Sequence, residues 1–120
     1  FETTLASRSY VTFLKEAQLG GYLVHIAYIR LSSVELAHSR VANRVQEGGH
    51  DVPRATVERR FWRGLRNFFA LYQPLADTWT LCDNSGEEPL FVARGCKGRE
   101  AEVLDVKKYA TIKQQAAHGP

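Results

Sequence analysis

The segment Tyr22–Leu31, with the sequence YLVHIAYIRL, constrains the fold of this chain more than any other feature. It is apolar at neighbouring positions and rich in β-branched and aromatic residues, whereas a strand with one face in water alternates apolar and polar side chains. A strand of this composition has to be covered on both faces, as the parallel strands of α/β proteins are. The segment therefore predicts a buried, parallel β-strand between layers of helices.

Helical patterns precede and follow this strand. Within Arg8–Leu19, apolar residues recur at three- and four-residue spacing, and Gly20–Gly21 predicts the end of that helix. After the strand, Ser32 is followed by Glu35, which is the spacing of a capping box and predicts that a second helix begins at Ser32. The apolar side of the second helix consists of Val34, Ala37, Val41 and Val45.

A second glycine pair, Gly48–Gly49, separates this helix from a third one predicted over Pro53–Tyr72. Proline suits the first turn of a helix, and the rest of the segment places apolar residues on one face and arginines on the opposite face. The apolar positions are Val57, Phe61, Leu65, Phe68 and Tyr72. The arginines opposite them are Arg59, Arg63 and Arg66, for which a solvated surface is the simplest interpretation.

The remainder of the chain predicts two shorter strands and a last helix. The strands are Thr78–Asn84 and Leu90–Arg94, and Asp105 is the predicted cap of a helix through Ala116. The element order indicates one α/β domain with at least one parallel crossover. Two or three strands are few for a sheet this apolar, so we expect another segment or a partner to cover or extend it.

Composition narrows the class of protein. The net charge of +3 favours anionic partners only weakly, and the two cysteines lack the spacing of a metal site or a disulfide scaffold. No apolar run is long enough to cross a membrane, and no leader pattern precedes the first helix. We expect a soluble, cytoplasmic protein with no membrane partner and no metal ligands of its own.

Arginines are concentrated on both sides of the second glycine pair. Arg40 and Arg44 lie one turn apart on the second helix, and Arg60 lies at the border of the apolar face of the third. Two helices with arginines at their inner edges and glycines between them resemble a lid that closes over phosphate groups. We expect these three arginines to face a phosphoryl group, with His50 as a further contact. An i,i+3 pair of Arg44 with Glu47 is the alternative.

Three stretches of the chain match a known family in their order and spacing. They are FETTLASRSYVTFLKEAQLGGYLVHIAYIRLSS from Phe1, RVANRVQEGGHDVPRATVERRF from Arg40, and LADTWTLCDNSG from Leu75. Together they resemble the zeta-toxin-like P-loop kinases, which include bacterial proteins labelled predicted ABC-type ATPases. The resemblance covers about Phe1–Arg94.

The resemblance implies a nucleotide-kinase-like parallel sheet flanked by helices, and a phosphotransferase that uses ATP and Mg²⁺ on a small molecule such as UDP-N-acetylglucosamine. The family's Glu-x-Thr-Leu segment contacts the sugar nucleotide, and its match at the start of the chain implies that Glu2 and Thr4 bind substrate. The family's lid arginines, which clamp the transferred phosphate, correspond to Arg44 and to Arg60 or its neighbour Arg59. The facing argument favours Arg60.

The chain departs from the family in one large respect. The phosphate-binding pattern G-x-x-x-x-G-K-[ST] is absent, since Gly95–Glu100 has a lysine at the wrong spacing, and the family's catalytic aspartate lies upstream of the Glu2 position. We therefore expect a C-terminal portion of a kinase domain over residues 1–120, without the N-terminal strands and phosphate loop, and with a lid at about 40–66. Alone it would be inactive and would not bind ATP or Mg²⁺ tightly. A truncated relic without catalysis is the alternative.

The expected partners are ATP, a small-molecule acceptor, and either a missing N-terminal segment or an antitoxin protein. Two functions of other classes compete with the kinase interpretation. A nucleic-acid-binding module would use the arginine face with nearby rings, but most of those rings, Phe68 and Tyr72 among them, lie on the apolar face, so nucleic acid is not favoured. A protein-interaction domain is the second rival.

Overall fold

The computed structural model describes residues 5–49 and 52–119 of the chain. Helices and strands follow the predicted order, with one additional short strand before the last helix. The helices are α1 (Tyr10–Leu19), α2 (Val34–Gln46), α3 (Arg54–Asn67), the short α4 (Gln73–Leu75) and α5 (Val106–His118). The strands are β1 (His25–Arg30), β2 (Thr78–Asp83), β3 (Leu90–Cys96) and β4 (Glu102–Val103).

The four strands form one open, mixed sheet in the order β1-β2-β3-β4, flanked by helices. β1 and β2 are parallel, with His25 opposite Thr78 and Arg30 opposite Asp83. β3 is antiparallel to β2, and β4 is antiparallel to β3. The α/β class and the parallel crossover are therefore confirmed. The expectation of a parallel sheet is wrong for β3 and β4, because short turns rather than crossover helices connect them to their neighbours.

β1 is an edge strand, and only one of its faces is buried. The inward face carries Ile26, Tyr28 and Arg30, of which the first and last are buried. The outward face carries the exposed residues His25, Ala27 and Ile29. Burial on both faces was predicted from the apolar composition, and this is wrong for the described residues, because no described helix buries the side chains of the outward face.

α2 begins one residue later than predicted. Ser33 has an extended backbone, and its Oγ accepts a hydrogen bond from the N–H of Leu36 at 3.1 Å, so Ser33 is the N-cap. The N–H of Ser32 instead donates to Oγ of Ser85, 2.7 Å away. The predicted capping box of Ser32 with Glu35 is therefore wrong. The prediction failed because Ser32 contacts Ser85 in the loop after β2, and a local sequence pattern does not reveal contacts between distant residues.

α3 begins after Pro53 and, through a π-helical turn at Phe68–Tyr72, runs on into α4. The helical segment thus ends a few residues beyond the predicted Tyr72. Its predicted apolar face is largely confirmed, with Phe61 only half-buried at the end nearest α2. The buried positions of that face are Val57, Leu65, Phe68 and Tyr72.

The hydrophobic core lies between the sheet and the helices α3 and α5. Its fully buried side chains are Leu65, Phe68, Tyr72, Leu81, Val92 and Ile112. The ring of Phe68 stacks on Tyr28 of β1, with centroids 4.9 Å apart, and meets Trp79 of β2 edge to face at 6.0 Å. At the start of α5, the carboxylate of Asp105 accepts from the N–H of Lys108 at 3.1 Å, which confirms the predicted cap. This core fixes β1 and β2 relative to α3.

Candidate functional site

A cleft of about 1090 Å³ runs along β1, between α1, α2 and α3. Its lining includes Arg30 from β1, Arg40 and Arg44 from α2, and Arg60 from α3. Among the described residues that line the cleft, none is an aspartate or a glutamate. A concave site with several positive charges and no opposing carboxylate attracts an anionic ligand.

Arg40 is held at the carboxyl end of the parallel strand pair. Its Nη2 donates a hydrogen bond to the carbonyl oxygen of Asn84 at 3.0 Å, and its side chain is half-buried. The N–H of Asn84 in turn donates to the carbonyl oxygen of Arg30 at 2.9 Å. The prediction that Arg40 lies at the edge of the core agrees with this placement. Its hydrogen bond to the loop after β2 was not predicted.

Arg44 and Arg60 lie in the same cleft with exposed side chains. Both Arg44 and Glu47 belong to the described part of the chain, and they form no ion pair there, so the predicted alternative for Arg44 is wrong. Arg59 is also exposed but is not part of the cleft lining. The structure therefore places Arg60, rather than Arg59, with the arginines of α2.

Three predicted site residues, Glu2, Thr4 and His50, lie outside the described residues. The first described residue is Leu5, which is buried, lines the cleft and has a φ of 58°. Its carbonyl oxygen accepts a hydrogen bond from Nδ2 of Asn67 at 2.7 Å. The last residue of the predicted substrate-binding segment, Leu5, therefore lies at the cleft.

Arg30 and Asp83 are two buried charged residues that were not predicted as site residues. Both are 6% exposed and lie opposite each other at the carboxyl ends of β1 and β2. Burial raises the pKa of Asp83, but hydrogen bonds from the Ser85 hydroxyl and N–H and the charges of Arg30 and Lys108 outweigh it, so that the net pKa is lowered. The sequence feature that could have indicated this site is the single arginine within the largely apolar segment Tyr22–Leu31.

The rest of the cleft wall is largely apolar and aromatic. Tyr28 lies midway along β1, and burial raises the pKa of its hydroxyl to about 12, so the group stays neutral and available as a hydrogen-bond donor. Val41 and Val57 face the cleft from the two helices that carry arginines. A ligand that fits this lining has an anionic end and a flat or apolar body.

A smaller cavity of about 340 Å³ lies at the start of α2, on the other side of Phe61. Its lining combines Glu35 and Glu58 with Arg54 and His38, so its charge is mixed. The larger cleft is the better candidate, because its charges have one sign and because it reaches the carboxyl end of the parallel strand pair, where open α/β sheets bind ligands.

Three further features concern metal ions, membranes and nucleic acid. Within residues 5–49 and 52–119, no three or more His, Cys, Asp or Glu side chains cluster as a metal ion requires. The same part of the chain contains no helix with the length and hydropathy of a membrane span. Phe68 and Tyr72 are fully buried, so these two rings are unavailable for stacking on nucleic-acid bases.

Comparison with known proteins gives one short match. Over 60 residues, the chain is 35% identical to an uncharacterized protein of Haemophilus influenzae. The match covers 50% of this chain and 43% of the relative, so the chain spans less than half of the length of that protein. No family model matches the chain, and no solved structure matches it.

Proposed function

We propose that this chain is the lid-bearing part of an ATP-dependent phosphotransferase of the zeta-toxin kind, acting on a small-molecule acceptor such as a UDP-sugar. The observation that carries the proposal is that Arg30, Arg40, Arg44 and Arg60 line one cleft, with no carboxylate among its described lining residues. Guanidinium groups bind phosphate oxygens through paired, charge-assisted hydrogen bonds. In this proposal, Arg44 and Arg60 neutralise the transferred phosphoryl group.

The packing of α2 supports its assignment as a lid. None of its residues is buried, and its last turn closes on Gly48, whose φ of 94° suits glycine. The N–H of Gly49 donates to the carbonyl oxygen of Arg44 at 2.7 Å, which closes the C-terminal end of α2. Segments with little buried surface open at low free-energy cost, as closing segments must. Arg44 at this end of α2 would travel with it.

The position of β1 supports a kinase domain with further strands. β1 is parallel to β2, lies at the edge of the sheet and exposes Ile29 on its outward face. Edge strands with apolar faces are normally covered or extended by another segment. An additional strand with a phosphate-binding loop, placed beside β1, would bring that loop to the carboxyl end of β1, where Arg30 lies.

ATP and magnesium fit the described residues to different degrees. Arginines are suitable ligands for a polyphosphate tail, and the aromatic wall of the cleft suits the flat part of a nucleotide. Magnesium prefers carboxylate oxygens and water, and the described lining of the cleft offers no carboxylate. The proposal therefore assigns no magnesium ligand to residues 5–49 and 52–119. An antitoxin partner and a cytoplasmic location remain predictions from the sequence.

The decisive experiment uses the protein expressed from the complete reading frame, with labelled ATP and UDP-N-acetylglucosamine or other UDP-sugars as acceptors. Transfer of the label to the acceptor is the expected result. Arg44→Ala and Arg60→Ala should each lower kcat by about a hundredfold or more, because these side chains act on charge that develops in the transition state. Arg63→Ala is the matched control on the exposed face of α3.

Two outcomes would refute the proposal. The first is the absence of label transfer to any UDP-sugar by folded protein. The second is an equal loss of activity in the variants of Arg60 and Arg63, since a general effect of surface charge would then explain the loss without a lid.

Glu2→Gln should raise KM for the acceptor more than KM for ATP, as the resemblance implies for a substrate-binding residue.

A further inference from the structure

We propose that Arg30, together with Arg40, forms a fixed phosphate-binding subsite at the carboxyl end of β1, separate in role from the lid arginines. This inference deepens the proposed function and rests on it for the identity of the ligand. The subsite takes a phosphate group of the bound ligand before any transfer occurs. Its source is either the polyphosphate of ATP or the diphosphate of a UDP-sugar.

The burial of Arg30 supports this subsite. The residue is 6% exposed and lines the cleft, and its Nε donates to the carbonyl oxygen of Leu31 at 3.0 Å. Within the described residues this is the only hydrogen bond of its guanidinium, and no carboxylate lies within ion-pair distance. The remaining N–H groups, on Nη1 and Nη2, are therefore available to a ligand in the cleft.

The carboxylate of Asp83 has its partners without Arg30. Its Oδ1 accepts from the N–H of Ser85 at 3.0 Å and from the Ser85 hydroxyl, and its Oδ2 lies 3.6 Å from Nζ of Lys108. A buried guanidinium that only neutralised Asp83 would be expected to bond to it directly. Burial lowers the pKa of Arg30, and the attraction of Asp83 offsets this only in part. Arg30 thus carries a charge that the described residues leave undercompensated.

Arg40 is coupled to the same end of the strand pair. Arg40 Nη2 bonds to the carbonyl of Asn84, and the N–H of Asn84 bonds to the carbonyl of Arg30. Both arginines therefore have one donor held by a main-chain carbonyl and further donors free within the described chain. Side chains fixed in this way bind an anion with little loss of conformational entropy. Arg44 and Arg60, which are exposed, lack such fixation.

The test is a titration of the chain with inorganic pyrophosphate, against sodium chloride at matched ionic strength. In the unsubstituted chain, the ¹⁵N signals of the Arg30 and Arg40 Nε–H groups should shift and saturate, while that of Arg63 should not. Arg30→Lys keeps a positive charge near Asp83 but removes the paired donors, so its affinity for pyrophosphate should fall by about tenfold or more. Arg63→Lys should bind as the unsubstituted chain does.

An invariant Arg30 signal at saturating pyrophosphate would overturn the proposal, whatever the stability of the variants. Equal pyrophosphate affinity of folded Arg30→Lys and the unsubstituted chain would overturn it as well. Parallel titrations with ATP and with UDP-N-acetylglucosamine identify the source of the phosphate, because only the ligand that occupies the subsite shifts the Arg30 signal. If pyrophosphate binds at Arg30 but the protein transfers no phosphoryl group, the proposed function alone is refuted. If Arg30→Lys transfers phosphate as well as the unsubstituted protein does, and the Arg30 signal does not shift, the subsite alone is refuted.

Discussion

Replacing Gly95 with alanine should destabilise the fold by about 1–2 kcal/mol, because the new methyl group would collide with a buried indole ring. Gly95 lies on β3 directly opposite Trp79 of β2. A Cβ at this position would be 2.7 Å from three atoms of the indole, whereas ordinary contact begins at 3.4 Å. The ring cannot retreat freely, since Trp79 is 5% exposed and stacks on Tyr109, with centroids 6.4 Å apart.

The magnitude follows from two opposing effects. Overpacking of this kind costs about 1–3 kcal/mol, and the loss of glycine's freedom in the unfolded chain returns about 0.4–1 kcal/mol. Urea unfolding of Gly95→Ala should therefore show a lower midpoint with an unchanged slope. Gly86→Ala is the matched control, because its Cβ would meet nothing within 4 Å, and it should be neutral or stabilising. Equal stability of the two variants would refute the reasoning. In a Trp79→Phe background, the cost of Gly95→Ala should shrink.

Two further predictions concern local structure near the cleft. Ser33→Ala should destabilise the fold by about 0.5–2 kcal/mol in thermal unfolding, because its Oγ caps α2. Ser32→Ala should change the stability little. A larger loss of stability in Ser32→Ala than in Ser33→Ala would instead support the capping box predicted from the sequence. The pKa of Asp77 is lowered, first by the hydrogen bond from the N–H of Val24 at 2.7 Å. This stabilisation is therefore present above the ordinary aspartate pKa and is lost as the pH falls through the folded-state value. In denaturant unfolding at neutral pH, Asp77→Asn should be less stable than the unsubstituted chain, and this difference in stability should narrow in acid. A difference in stability that does not change with pH would contradict the stabilising role of the Asp77 carboxylate.

The extent to which the fold could be predicted differs between its elements. The existence of the main helices and of β1 follows from local patterns, and apolar spacing also gave the buried face of α3. The buried face of β1 did not follow, because its apolar composition predicted burial on both faces. β4 could not be predicted in this way, because Glu102–Val103 is too short to show alternation and exists through its pairing with β3. The start of α2 was misplaced for a related reason, as the partner of Ser32 is Ser85, far away in the sequence.

The candidate site was predictable in outline only. The arginines of α2 and α3 stand out as a concentration of charge, and their spacing placed Arg40, Arg44 and Arg60 on the inner side of the helix pair. Arg30 was not predicted as a site residue, because the sequence does not indicate whether a single charged side chain in an apolar strand faces a partner, solvent or a cleft. That distinction depends on the register of β1 with β2, which brings Arg30 opposite Asp83.

The central claim is that the cleft beside β1 binds phosphate groups. Backbone ¹⁵N spectra of the chain, recorded during a titration with pyrophosphate, test it most directly because they report on every part of the surface at once. We predict that the saturable shifts are confined to β1, to α2 from Arg40 to Arg44, to Arg60 and to the loop at Asn84. Shifts centred instead on the exposed lysines of α5, or none above those caused by chloride at the same ionic strength, would contradict the claim.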